Sequence, residues 1–264
     1  MFGQILVEFL FRLTLGVAVA MGITPSAQVT SGFYRIHLWV LMGVQTLAAL
    51  MLYYPHHPGK TAEGALRIWQ FAIAVAAAAG CYLGAVIWMY ERRAGGKSVV
   101  WLVAGLALAG CLTPLTVHTE KPVAFHVADR VTSSVLLGLV TTAMLLGHWY
   151  LNTPTMKLAP LQRLIVLLAI AVAARAIVCG GGAAMEWSHH AQRQGSELIT
   201  WLVFLGLRWL AGIAGVLGLT WLTWLVLKIP NTQSATGILY AGVILAFIGE
   251  LTSQLLSAEA MYPL

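Results

Sequence analysis

The sequence predicts an all-α fold, a polytopic transmembrane helix bundle of about eight spans. Three observations carry this expectation. Hydrophobic residues make up 59% of the chain and charged residues 9%, with a mean hydropathy of +0.83, whereas a soluble domain carries roughly a quarter charged residues. The apolar residues come in runs of about 20, the length that crosses a hydrocarbon core of roughly 30 Å at a helical rise of ~1.5 Å. Between the runs fall the helix breakers, among them Pro25, Pro55, Pro58, Gly95, Gly96, Pro122, Pro154, Pro160 and Pro230.

The first span is expected over residues 5–23. It has no cationic leader, and Glu8 and Arg12 interrupt its apolar core, so it reads as a permanent span and not as a removable signal peptide. The second, 33–54, ends against Pro55. The third, 66–90, holds an alanine-rich surface over 72–80 suited to close helix packing. The fourth, 99–117, contains Pro114, whose missing N–H should release a carbonyl one turn back. The fifth, 131–151, is bracketed by Pro122 and Pro154. The sixth, 161–178, is expected to end at Cys179 and the glycine run Gly180-Gly181-Gly182, read as a flexible turn; no Lys-Ser or Lys-Thr follows, so it is not a phosphate loop. The seventh covers 205–227 with a start that reaches back toward Leu198, and the eighth covers 237–256.

No polar stretch is long enough for a soluble domain, so residues 1–264 read as a single integral membrane domain. Laying four spans over four suggests a 4+4 parallel repeat, with Leu66-Arg67-Ile68-Trp69 opening the third span and Leu207-Arg208-Trp209 the seventh. Shared apolar composition produces such likeness equally well. The formal net charge of +6 is spread over short loops and is better read as a topology signal than as a nucleic-acid surface. Arg35, Arg92, Arg93, Lys97, Lys157, Arg163 and Lys228 fall on one side opposed only by Glu91, which places both termini outside a cytoplasmic (inner) membrane. Three scattered cysteines, without CxxC or CxxCH spacing, point to neither a zinc thiolate site nor covalent haem attachment.

Charge inside the spans is the first functional signal. Glu8, Arg12, Arg175, Arg208 and Glu250 each sit where lipid-facing helices have none, and such residues face protein, water or a partner. With both termini outside, these residues and Arg67 are expected at similar depth, with a surplus of positive charge able to hold an anionic group through bidentate arginine geometry. The plainer alternative pairs Glu8 with Arg12 and Glu250 with Arg175, as internal ion pairs only.

Histidines give the second signal. His56, His57, His118, His126, His189 and His190 fall in or beside the outer connections, where imidazoles could converge on a metal ion with Glu120, Asp129 and Glu186 behind them. Their spacing matches no metal motif, and loop histidines are common. His37 and His148 lie near the inner ends of spans two and five, a placement that suits axial ligation of a b-type haem or contact with a quinone head group between Trp39 and Trp149. An interfacial aromatic belt accounts for the same residues. His126 and His148 are separated by nearly a membrane thickness and cannot serve one cofactor.

No Ser-His-Asp set, HExxH, Walker sequence or dinucleotide fingerprint occurs, and no catalytic residue is assigned. Three functions remain. One is an integral membrane subunit of a respiratory-type electron-transfer assembly, binding b-type haem or quinone, with other membrane subunits as partners. Another is a transporter or flippase for a small anion or lipid. The last is a ligand-free scaffold, in which Arg175→Met combined with Glu250→Met should be tolerated although either alone destabilises.

Overall fold

The computed structural model describes residues 2–53, 62–116, 122–153, 155–190, 196–229 and 231–264. Among these residues the fold is helical, without strands, and eight helical stretches are long and apolar enough to cross a membrane: Gly3–Ile23, Ser31–Tyr53, Gly64–Met89, Arg93–Leu115, Val123–Asn152, Ala159–Trp187, Leu198–Leu227 and Thr232–Ala258. This is a multi-pass membrane protein. By its own contacts the chain folds as two compact units, Met1–His118 and Thr119–Leu264.

The first unit contains α1 (Phe2–Ile23), α2 (Ser31–Tyr53), α3 (Ala62–Met89) and α4 (Arg93–Leu112). Each helix packs on the next and α4 returns to α1, closing a ring of four. Lipid offers no hydrophobic drive between helices, so the ring is held by close packing and by polar side chains that find partners inside it. Gln45 donates to the Thr14 hydroxyl at 2.7 Å, and the Tyr34 ring lies flat on Trp88 with centroids 4.2 Å apart while its hydroxyl donates to the Thr24 carbonyl. Pro114 ends α4 in a short 3-10 turn, Thr113–Thr116, and the Gly110 carbonyl accepts from Gln70 Nε2 at 3.5 Å. This is the carbonyl that a residue with an N–H at position 114 would have engaged.

In the second unit α5 (Val123–Asn152), α6 (Ala159–His190), α7 (Ser196–Leu207), α8 (Val216–Leu227) and α9 (Thr232–Glu259) form four spans, because α7 and α8 are continuous through residues 208–215. Here the helix widens to a π-helix, Arg208–Gly215, with the Val216 N–H reaching back to the Ala211 carbonyl. The contacts again run from each span to the next, and α9 returns to α5. Asn231 caps α9, its side chain accepting from the Ser234 N–H at 3.0 Å.

Among the boundaries that move, two bear on the site. Helix α5 begins at Val123, not at residue 131, which brings His126, Asp129 and Arg130 into the helix as buried residues. Helix α6 continues to His190 through Gly180-Gly181-Gly182, so the glycine run is no turn. Its glycines serve close approach: a Cβ at Gly182 would overlap the Pro263 carbonyl, and one at Gly180 would touch the Trp209 ring at 3.5 Å.

A close helix-to-helix approach in the second unit joins the π segment to α9. A Cβ on Gly212 would lie 2.7 Å from the Gly249 Cα, and the backbones there are in direct contact. Gly249→Ala should therefore cost about 1–3 kcal/mol of stability by forcing the helices apart. Gly105→Ala, where an added Cβ meets nothing within 4 Å, should instead gain roughly 0.5–1 kcal/mol from helix propensity. Denaturation of both variants in mixed micelles checks the contrast.

Candidate functional site

All four spans of the second unit contribute to one buried charge network. Asp129 stands on α5, Arg175 at the middle of α6, Arg208 at the start of the π segment and Glu250 on α9, and none is more than 2% exposed. Arg175 is at the centre. Its Nε and Nη2 grip the two Glu250 carboxylate oxygens at 3.0 and 2.9 Å, the parallel geometry that a planar guanidinium offers and an ammonium does not. Nη1 reaches the Asp129 carboxylate at 2.5 Å and lies 3.3 Å from the Asp129 carbonyl, with the Thr132 hydroxyl at 3.4 Å. Nη2 also donates to Ser253 at 3.0 Å. A guanidinium has five N–H groups, and at Arg175 the protein supplies acceptors for all of them.

Arg208 differs. Its Nη2 donates to Glu250 Oε1 at 3.0 Å and to the Cys179 sulfur at 3.2 Å, but Nε and Nη1 have no acceptor among the described residues. The side chain is fully buried. Gly212 makes its position tenable, since a Cβ there would come within 2.6 Å of Nη1. A buried donor left unmatched costs about 1–3 kcal/mol, so these N–H groups call for an acceptor from outside the side-chain set.

Taken together the two guanidinium and two carboxylate groups sum to zero. The expected surplus of positive charge is absent from this set, because Asp129 joins it. Asp129 escapes a sequence reading that starts span five at Val131. Its signal lies in the stripe one turn apart, Asp129 and Ser133, once the helix is extended toward Pro122.

The end of the same unit where α9 finishes is packed by the returning residues 260–264. Glu186, expected as support for a metal, instead accepts the Met261 and Tyr262 N–H groups on one carboxylate oxygen at 3.1 and 2.9 Å. His126 Nε2 donates to the Met261 carbonyl at 3.0 Å. Ser253 links this segment to the network, taking a hydrogen bond from Arg175 and giving its own to the Leu264 backbone oxygen.

The remaining sequence-stated residues separate by unit. Glu8 and Arg12 pair one turn apart on α1 at 3.9 Å, in the first unit. His37, also in the first unit, is buried and donates from Nδ1 to the Phe33 carbonyl at 2.6 Å, while His148, in the second, is exposed and shares a 3.3 Å contact with the Tyr240 hydroxyl. Of the metal candidates, His56, His57 and His118 lie outside the described residues, as do the side chains of His189 and His190. Among the described residues no group of three His, Cys, Asp or Glu side chains is placed to hold a metal ion.

Because Arg175 and Glu250 each serve two ions, Arg175→Met with Glu250→Met is not a neutral exchange: it takes Arg175 from Asp129 and Glu250 from Arg208. Arg175→Met alone should lower unfolding stability by about 3–5 kcal/mol, and the double variant should not recover it. Replacing all four, Asp129→Asn, Arg175→Met, Arg208→Met and Glu250→Met, should recover most of the loss. Denaturant titrations in micelles separate these outcomes. No family model, no curated protein and no solved structure matches this chain.

Proposed function

We propose that this chain is an integral membrane subunit of an electron-transfer assembly, and that its second unit presents Arg208 to the carbonyl oxygen of a quinone-type head group. The observation that carries the reading is the pair of buried Arg208 nitrogens, Nε and Nη1, without an acceptor among the described residues, beside an Arg175 that is fully matched. A quinone carbonyl is an acceptor without charge. The zero sum of the network favours such a group over a phosphate or carboxylate, whose negative charge would enter a low-dielectric interior with no compensating cation. The same sum weighs against the small-anion transporter. A widened helix at the key side chain agrees with a binding role, since π segments recur at functional positions.

The assembly's other membrane subunits supply the redox partners in this reading, and the loop charges favour a cytoplasmic membrane with both termini outside. A b-type haem is the second reading. It is favoured by His37, whose Nδ1–H is tied to the Phe33 carbonyl, the type of bond that fixes the tautomer of a ligating imidazole.

Purified protein should retain quinone, and a short-chain quinone should raise its thermal stability. In Arg208→Lys, which keeps the charge but loses the fork, quinone affinity should fall about tenfold, or roughly 1.4 kcal/mol, while the protein remains folded. A Soret band that shifts on dithionite reduction would move the reading to haem. Neither quinone nor Soret band, with no quinone effect on stability, would overturn it in favour of the scaffold.

A further inference from the structure

Residues 260–264 lie one helical turn outward of the network, and this register follows from their contacts. Leu264 is fully buried in a small cluster with Trp201 and Ala260, against Ala183, Leu198, Leu205 and Leu256. Leu205 is one turn from Arg208 and Ala183 one turn from Cys179, the residue whose sulfur takes a hydrogen bond from Arg208. Ser253, which holds the Leu264 backbone oxygen, is one turn from Glu250. The cluster that holds Leu264 therefore packs on α6 and α7 one helical turn beyond Cys179 and Arg208.

The segment covers this end without being part of any span. Beyond the last turn of α9 it is held by side chains: Glu186 receives two adjacent backbone N–H groups, His126 donates to the Met261 carbonyl, and Ser257 receives the Leu264 N–H at 3.0 Å. The Phe125 and Tyr262 rings meet edge to face, 5.8 Å between centroids. One turn further in lies Arg208, whose Nε and Nη1 find no acceptor among the described residues.

We propose that residues 260–264 are a lid on the Arg208 site, latched by the Glu186 carboxylate, and that a neutral acceptor head group reaches Arg208 when the lid withdraws. Departure of Leu264 and Pro263 makes the room that the head group requires. The identity of the ligand rests on the function proposed above; the lid itself is tested without any ligand.

Cys179 reports the opening, being buried beside Arg208. With Cys81→Ala and Cys111→Ala as background, so that Cys179 is the remaining thiol, its alkylation by membrane-permeant N-ethylmaleimide is followed by mass spectrometry in reconstituted vesicles. Glu186→Ala should accelerate labelling at least tenfold, and Leu264→Ala, which trims the cover but keeps the latch, should accelerate it as well. If Glu186→Ala does not fold, Leu264→Ala decides. Labelling within twofold of the background protein in every folded variant would overturn the lid. Short-chain quinone should slow labelling of Glu186→Ala; acceleration that quinone leaves unchanged supports the lid and removes the quinone.

Discussion

Arg175 and Glu250 grip each other through two parallel hydrogen bonds in the middle of a bundle that lipid surrounds, and the second unit is arranged about that grip. A guanidinium in hydrocarbon is costly unless its N–H groups are matched, and a helix supplies acceptors only at fixed angular and axial positions. Satisfying Arg175 thus fixes how α5 and α9 present Asp129 and Glu250 to α6. Glu250 in turn carries the constraint to the π segment through Arg208. Buried ion pairs are weak evidence of net stability, because desolvation offsets most of the attraction. What they impose is register: sliding any of these helices by a residue would strand a charge.

The first unit solves the same problem with smaller means. Its helices approach closely, and Gln45, Gln70 and Tyr34 each spend a donor on a neighbouring hydroxyl or carbonyl. Such bonds are worth about 1 kcal/mol each in a membrane. None of them demands a unique registration as strongly as a shared carboxylate does. The two units thus differ in bonding style more than in hydropathy.

Span number and helical class were legible in the sequence because a 30 Å apolar slab imposes a run length that composition reveals directly. Helix ends were less legible, and for a physical reason. Asp129 and Arg130 resemble loop residues until their buried partners are known, and the glycines at 180–182 resemble a breaker until the Pro263 carbonyl and the Trp209 ring are placed beside them. The pairing of Arg175 with Glu250 was readable from charge scarcity: few opposite ions were available at matching depth. Three-dimensional facts were required for the rest, namely which Arg208 nitrogens find acceptors and where residues 260–264 pack. Of the histidines singled out in the sequence, His126 is engaged by backbone and His148 stands exposed.

The π-helical stretch also alters how the seventh span tolerates changes of length. In an α-helix, removing one residue rotates everything downstream by about 100°, which in α5 would swing Asp129 away from Arg175 or turn the opposite face inward. Wider turns hold surplus backbone. Deleting Leu210, an outward-facing residue within the stretch, can be absorbed by tightening to ordinary α geometry while α7 and α8 each keep their own neighbours. Evolutionary indels that would be ruinous in α5 can thus be accommodated in this stretch, which begins at Arg208.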